Sequence, residues 1–122
     1  MIDLRKLVNS FRYALRGLWV LLEMEQNARI HAAAAVILGF LAYALHLSRI
    51  EAAVLFFAVV LVFAIEIINT AVEKLLDIVH PDSRGEVAFV KDALAGAVLI
   101  AAFIAFVVAV LVFYPHVLIL FQ

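Results

Sequence analysis

The chain has 122 residues, 69% of them hydrophobic, and a mean hydropathy of +1.20. A soluble domain is nearer half apolar, so the composition specifies a small integral membrane protein, one membrane domain over 1–122. A net charge of −1 gives no field for nucleic acid, and the lack of cysteine excludes disulfide and thiolate chemistry.

Residues 3–23 read as an amphipathic helix. Arg5, Lys6, Asn9, Arg12 and Arg16 recur at helical spacing as a basic stripe, and Leu4, Leu7, Phe11, Leu15, Leu18, Trp19 and Leu22 form the opposite face. Cations on one side and Trp, Phe and Leu on the other suit a helix lying in the membrane interface. The early charges are spread along this helix, and no apolar core with a small-residue cleavage site follows them, which is not the pattern of a signal peptide. Residues 24–31 are a polar hinge containing Glu25, Arg29 and His31, with Arg29 placed to reach headgroups.

The first apolar run is 32–47, about 16 residues, slightly short of the usual span. His46 near its end reads as an interfacial residue. A tight turn, Ser48 to Glu51, leads to a second helix over 52–79, which His80-Pro81 ends. A cytoplasmic loop follows over 80–90, and the third span is 91–113, closed by Tyr114-Pro115. Gly96 with Ala93, Ala95, Ala97 and Ala101 forms a small-residue patch suited to close helix packing. The fold class is therefore all-α: an N-terminal surface helix plus three transmembrane helices.

Arg5, Lys6, Arg12, Arg16 and Arg29 precede the first span, and Lys74, Arg84 and Lys91 lie around the loop between the second and third. The turn joining the first two spans has only Arg49, and the C-terminal tail has no Lys or Arg. This asymmetry places the N-terminus and the long loop in the cytoplasm and the C-terminus outside.

The second span runs without a break into Glu66-Ile-Ile-Asn69-Thr-Ala-Val-Glu73-Lys-Leu-Leu-Asp77. On an ideal helix Glu66, Asn69, Glu73 and Asp77 project at about 0°, 300°, 340° and 20°, one narrow face. A charge at mid-membrane costs about 2.5–3.5 kcal/mol on insertion scales, so a functional partner is expected to meet this face. Glu25, Lys91 and Asp92 fall on the same side of the membrane. Clustered carboxylates suit Mg²⁺, Lys91 suits a phosphate, and a carboxylate drawn from water suits a general base. Phosphoryl transfer needs that set, and a cation- or proton-translocating bundle needs part of it. A translocator should carry ionisable groups across the whole bilayer. The span 93–113 has none, and 32–47 has only His46, which favours the enzyme. No Gly-rich phosphate loop of a soluble kinase is present.

The run from Glu66 to Asp77, followed by Val90-Lys91-Asp92-Ala-Leu-Ala-Gly-Ala-Val, resembles the signature of the bacterial integral-membrane diacylglycerol kinase family, which includes undecaprenol kinases. Arg16-Gly17-Leu18 and the hinge Glu25-x-Asn27-x-Arg29-Ile30-His31 extend the resemblance, the hinge being most like Gram-positive members. The resemblance implies a homotrimer in the inner membrane, with active sites shared between subunits, that transfers the γ-phosphate of Mg·ATP to a lipid hydroxyl. It implies that Glu66 is the base, and that Glu73 and Glu25 hold the ATP-bound metal. Asn69 and Asp77 would support the site, and Lys91 and Asp92 would contact nucleotide. Lys6, in place of a more usual Arg, and Tyr13 fall where the family contacts nucleotide and lipid. Ser83-Arg84 stand where Tyr-His is frequent, and Ala95 stands where some members have Ser near the lipid.

Overall fold

The computed structural model describes residues 3–82 and 84–121. They form α1 (Leu4–Met24), α2 (Gln26–Ala44), α3 (Arg49–Val79) and α4 (Glu86–Ile119), with no strand among them. Three of these helices, α2, α3 and α4, are long and apolar enough to cross a membrane. Ser83 lies outside the described residues, so of the Ser83-Arg84 pair only Arg84 is placed, exposed in the loop.

The Asp3 carboxylate starts α1 by accepting from the backbone N–H groups of Arg5 (3.0 Å) and Lys6 (3.2 Å). This satisfies two of the donors that a helix start leaves open. At the other end the Arg29 guanidinium donates to the carbonyls of Leu22 (3.2 Å) and Glu23 (3.0 Å). A cation there also complements the negative end of the helix dipole. Arg29 therefore caps α1 from α2. The hinge is correspondingly shorter than the 24–31 stretch read from polarity. Only Glu25 is extended (φ −108°, ψ 123°), and helix resumes at Gln26. Polar residues such as Gln, Asn and Arg sit in a helix without difficulty, so polarity alone did not mark the break.

At its far end α2 closes in a Schellman turn, in which His46 N–H donates to Tyr43 O (3.2 Å) and Leu47 N–H to Ala42 O (3.1 Å). His46 occupies the left-handed position of that turn (φ 53°). Ser48 then opens α3 at Arg49, three residues earlier than the apolar run suggests. Glu51 N–H donates to Ser48 Oγ (3.3 Å) and Ser48 N–H to Glu51 Oε2 (2.8 Å), a reciprocal capping box. Ser48→Ala should lower the protein's unfolding free energy by about 1 kcal/mol. Denaturant titration in detergent checks this, with lipid-directed activity unchanged because Ser48 lies 18 residues before Glu66, roughly 27 Å along α3.

α3 has 31 residues and α4 has 34. At 1.5 Å per residue each exceeds the roughly 30 Å hydrocarbon thickness by more than two turns, so both project into an aqueous or headgroup layer. Pro115 does not end α4, which continues to Ile119. Past the proline, His116 Nδ1 donates to Val112 O (3.0 Å), and its Nε2 lies 3.7 Å from Glu51 Oε2. The contact with Glu51 ties the last turn of α4 to the first turn of α3. The α3–α4 loop turns at Gly85, whose φ of 61° and ψ of −124° strain any residue with a Cβ.

α3 and α4 pack antiparallel. Leu55, Ala58, Val62 and Glu66 are the buried residues of α3, and Val98 and Ala101 those of α4. Small residues at Ala58 and Ala101 let the backbones approach. Of the small-residue patch around Gly96, Ala101 is buried while Ala93 and Ala95 are exposed. Large apolar side chains such as Phe56, Phe57, Phe103 and Phe106 are exposed, as lipid-facing positions of membrane helices are.

Candidate active site

The site is centred on Glu66, midway along α3. It is 2% exposed, the one buried charged residue among those described, and its Oε2 has no hydrogen-bond partner. Such an atom costs about 1–3 kcal/mol, more when charged, unless a ligand meets it. Ala28 of α2, fully buried, leaves room for the approach of the neighbouring helix. Around Glu66, within its electrostatic reach, lie Glu25, Glu73 and His31.

Each comes from a different local cause. Glu73 lies two turns along α3 on the same face, partly buried. Glu25 is delivered by the break between α1 and α2, and its Oε1 accepts from Lys74 Nζ at 3.2 Å. That ion pair pins the α1–α2 junction to α3. Further toward the loop, Lys91 in the second turn of α4 pairs with Asp77 in the last turns of α3. Half-exposed pairs of this kind contribute little stability, about 0–1 kcal/mol, so their effect is chiefly positional. Asn69 is half-buried on the Glu66 face.

The sequence-derived set thus divides. Glu25 and Glu73 each come within electrostatic reach of Glu66, and Asp77 and Lys91 meet at the end of the same face. Lys6 and Tyr13 lie exposed on α1, and Asp92 and Ala95 exposed on α4, with no hydrogen bond or ion pair joining them to Glu66, Glu25 or Glu73. Two residues near the site carry no role in the sequence reading. His31 stands edge-on to Phe63 with ring centroids 6.4 Å apart, and Lys74 holds Glu25. Lys74 was findable as the one cation between Glu73 and Asp77. His31 was not, because nothing in the sequence brings α2 against α3 at that level.

Among the described residues no three acidic, His or Cys side chains are grouped so as to cage a metal ion. That arrangement still fits Mg²⁺, which takes one or two protein carboxylates and completes its shell with water and substrate phosphate. Glu25 and Glu73 are the carboxylates near Glu66 that would hold it.

The family of prokaryotic diacylglycerol kinases matches this sequence over residues 12–113. The chain belongs to that family. It is a lipid kinase. The chain is 34% identical over 113 residues to the undecaprenol kinase of Bacillus subtilis, covering 93% of this chain and 92% of that protein. It is 41% identical over 103 residues to a diacylglycerol kinase of Synechocystis, covering 84% of this chain and 59% of the relative. A diacylglycerol kinase of Haemophilus influenzae is 33% identical over 98 residues, with 80% and 83% covered. No solved structure matches significantly. Membership of the diacylglycerol kinase family agrees with the motif and decides for the enzyme against the translocator.

Proposed function

We propose that this protein transfers the γ-phosphate of Mg·ATP to the primary hydroxyl of a membrane lipid alcohol, diacylglycerol or undecaprenol. The products are ADP and phosphatidic acid or undecaprenyl phosphate. The observation that carries this reading is the Glu66 carboxylate, buried on the membrane helix α3 with one oxygen unpartnered and Glu25 and Glu73 in its field.

The steps follow from the order of groups along α3. The lipid hydroxyl, held at the headgroup level, gives its proton to Glu66. Its oxygen then bonds the γ-phosphorus as the bond from γ-phosphorus to the bridging oxygen breaks, leaving ADP. Glu25 and Glu73 would hold Mg²⁺, which neutralises charge on the phosphate oxygens. Lys91 orients a phosphate, held in place by Asp77. Asp92, with Lys6 and Tyr13 of α1, completes the nucleotide contacts, and Asn69 supports Glu66. Ala95 borders the lipid.

Lys6, Tyr13, Asp92 and Ala95 lie on exposed faces, which supports a homotrimer in which neighbouring subunits complete each site. The charge asymmetry of the loops supports an inner-membrane protein with the site, the N-terminus and the α3–α4 loop in the cytoplasm, where ATP is. α1 lies on that surface. Mass analysis of lipid extracts tests the reading. Purified protein incubated with ATP and Mg²⁺ in micelles holding diacylglycerol or undecaprenol should yield the lipid monophosphate. Folded protein that yields neither monophosphate contradicts it.

A further inference from the structure

An apolar groove of about 330 Å³ lies between α2, α3 and α4. Ala35 and Leu38 of α2, Val59 and Phe63 of α3, and Ala102 and Ala105 of α4 are in its wall. From His31 to Leu38 it spans seven residues of helix, about 10 Å. His31, at the end nearest Glu66, is its one wall residue with a side chain that can hydrogen bond. On an ideal helix Val59, Val62 and Phe63 lie within about 60° of Glu66. The groove and the unpartnered carboxylate therefore share one face of α3 and follow each other along it.

We propose that this groove holds the hydrocarbon chain of the lipid alcohol next to its hydroxyl. Its wall then selects an alcohol that is hydrocarbon up to the hydroxyl, a prenyl alcohol, over a glycerol ester. The inference rests on the reading of Glu66 as the base. A glycerol ester brings carbonyl oxygens within a few bonds of the hydroxyl, and the groove offers them one donor, His31. An unpaired carbonyl in an apolar wall weakens binding about tenfold. A prenyl chain meets the wall with no such loss. Small side chains at Ala35, Ala102 and Ala105 leave the width that its branch methyls need.

A second apolar groove, about 520 Å³, lies between α1 and α3 and includes Thr70 and Lys74. Its apolar α3 wall, Ile67 and Ala71, sits about 100° or more around α3 from Glu66. The two α3 residues nearer the Glu66 face, Thr70 and Lys74, are polar, so a hydrocarbon chain lying there is led away from the base.

Two measurements on the purified full chain decide between these. Ala105→Leu, with Ala105→Val as a milder filling, should raise the KM for farnesol about tenfold or more. The KM for ATP and kcat should stay within about twofold of wild type. An unchanged farnesol KM overturns the groove, and so does a change of oligomer size without a change of KM, which makes it a subunit contact. A benzophenone-bearing farnesol analogue should label α2, α3 and α4 at the groove in the wild-type protein, and labelling of α1 or of Ile67 and Ala71 overturns it. Labelling needs no catalysis. Labelled groove without phosphate transfer sinks the kinase mechanism alone, and transfer with labelling elsewhere sinks the groove alone.

Discussion

Glu66→Gln should lower kcat for lipid phosphorylation by about 10²–10⁴-fold, the usual worth of a general base. The amide keeps the size and shape of the side chain but cannot take the hydroxyl proton. Binding of Mg·ATP should be retained, because Glu25 and Glu73 stay in place. Insertion and oligomer assembly should also be retained. Removing a buried charge from a membrane helix relieves part of its insertion cost, so thermal stability should hold or rise as activity falls. That opposition separates a base from a structural carboxylate. A structural Glu66 hydrogen bonded to a neighbour would lose stability and activity together. Full activity in the variant would remove Glu66 from the chemistry.

Glu73→Gln should act on the metal. With one of two carboxylates gone, the Mg²⁺ concentration giving half-maximal rate should rise about tenfold or more, or activity should vanish. The KM for lipid should stay near its wild-type value, since Glu73 lies two turns from Glu66 toward the α3–α4 loop. Titrating Mg²⁺ at fixed ATP reads this directly. A superimposable titration curve would show that Glu73 holds no metal. The same titration on Glu25→Gln should shift in the same direction. That variant's stability should stay near wild type, because the Lys74 pair it loses is half-exposed and acts chiefly by holding the α1–α2 junction in place.

The apolar runs made the membrane helices legible, and the basic stripe made α1 legible as a helix. Their limits were less so. A polar stretch before a span reads as a hinge, but Gln26 to His31 is helical and only Glu25 breaks the chain. Pro115 reads as a stop, but α4 runs through it to Ile119, and just past it His116 meets Glu51 of α3. Both errors arise because local residue type cannot report a partner from another helix. The site divides in the same way. Glu66, Asn69, Glu73 and Asp77 were legible because they lie on one helix and share its period. The Asp77–Lys91 pair, the Glu25–Lys74 pair and the approach of His31 to Glu66 depend on how helices pack, which the period of a single helix does not encode. Arg29 shows the same limit. Its sequence position suggests a headgroup contact, while the fold gives it the open carbonyls of α1.

Phosphate is expected to pass from ATP to a lipid hydroxyl at Glu66. This transfer is tested most directly by following the label of γ-³²P-ATP in purified protein with Mg²⁺ and lipid micelles. Wild-type protein should move the label into the organic phase as lipid monophosphate, and the Glu66→Gln protein in the same preparation should leave it in ATP. Label reaching lipid equally in both proteins, or in neither while both are folded, would contradict the account.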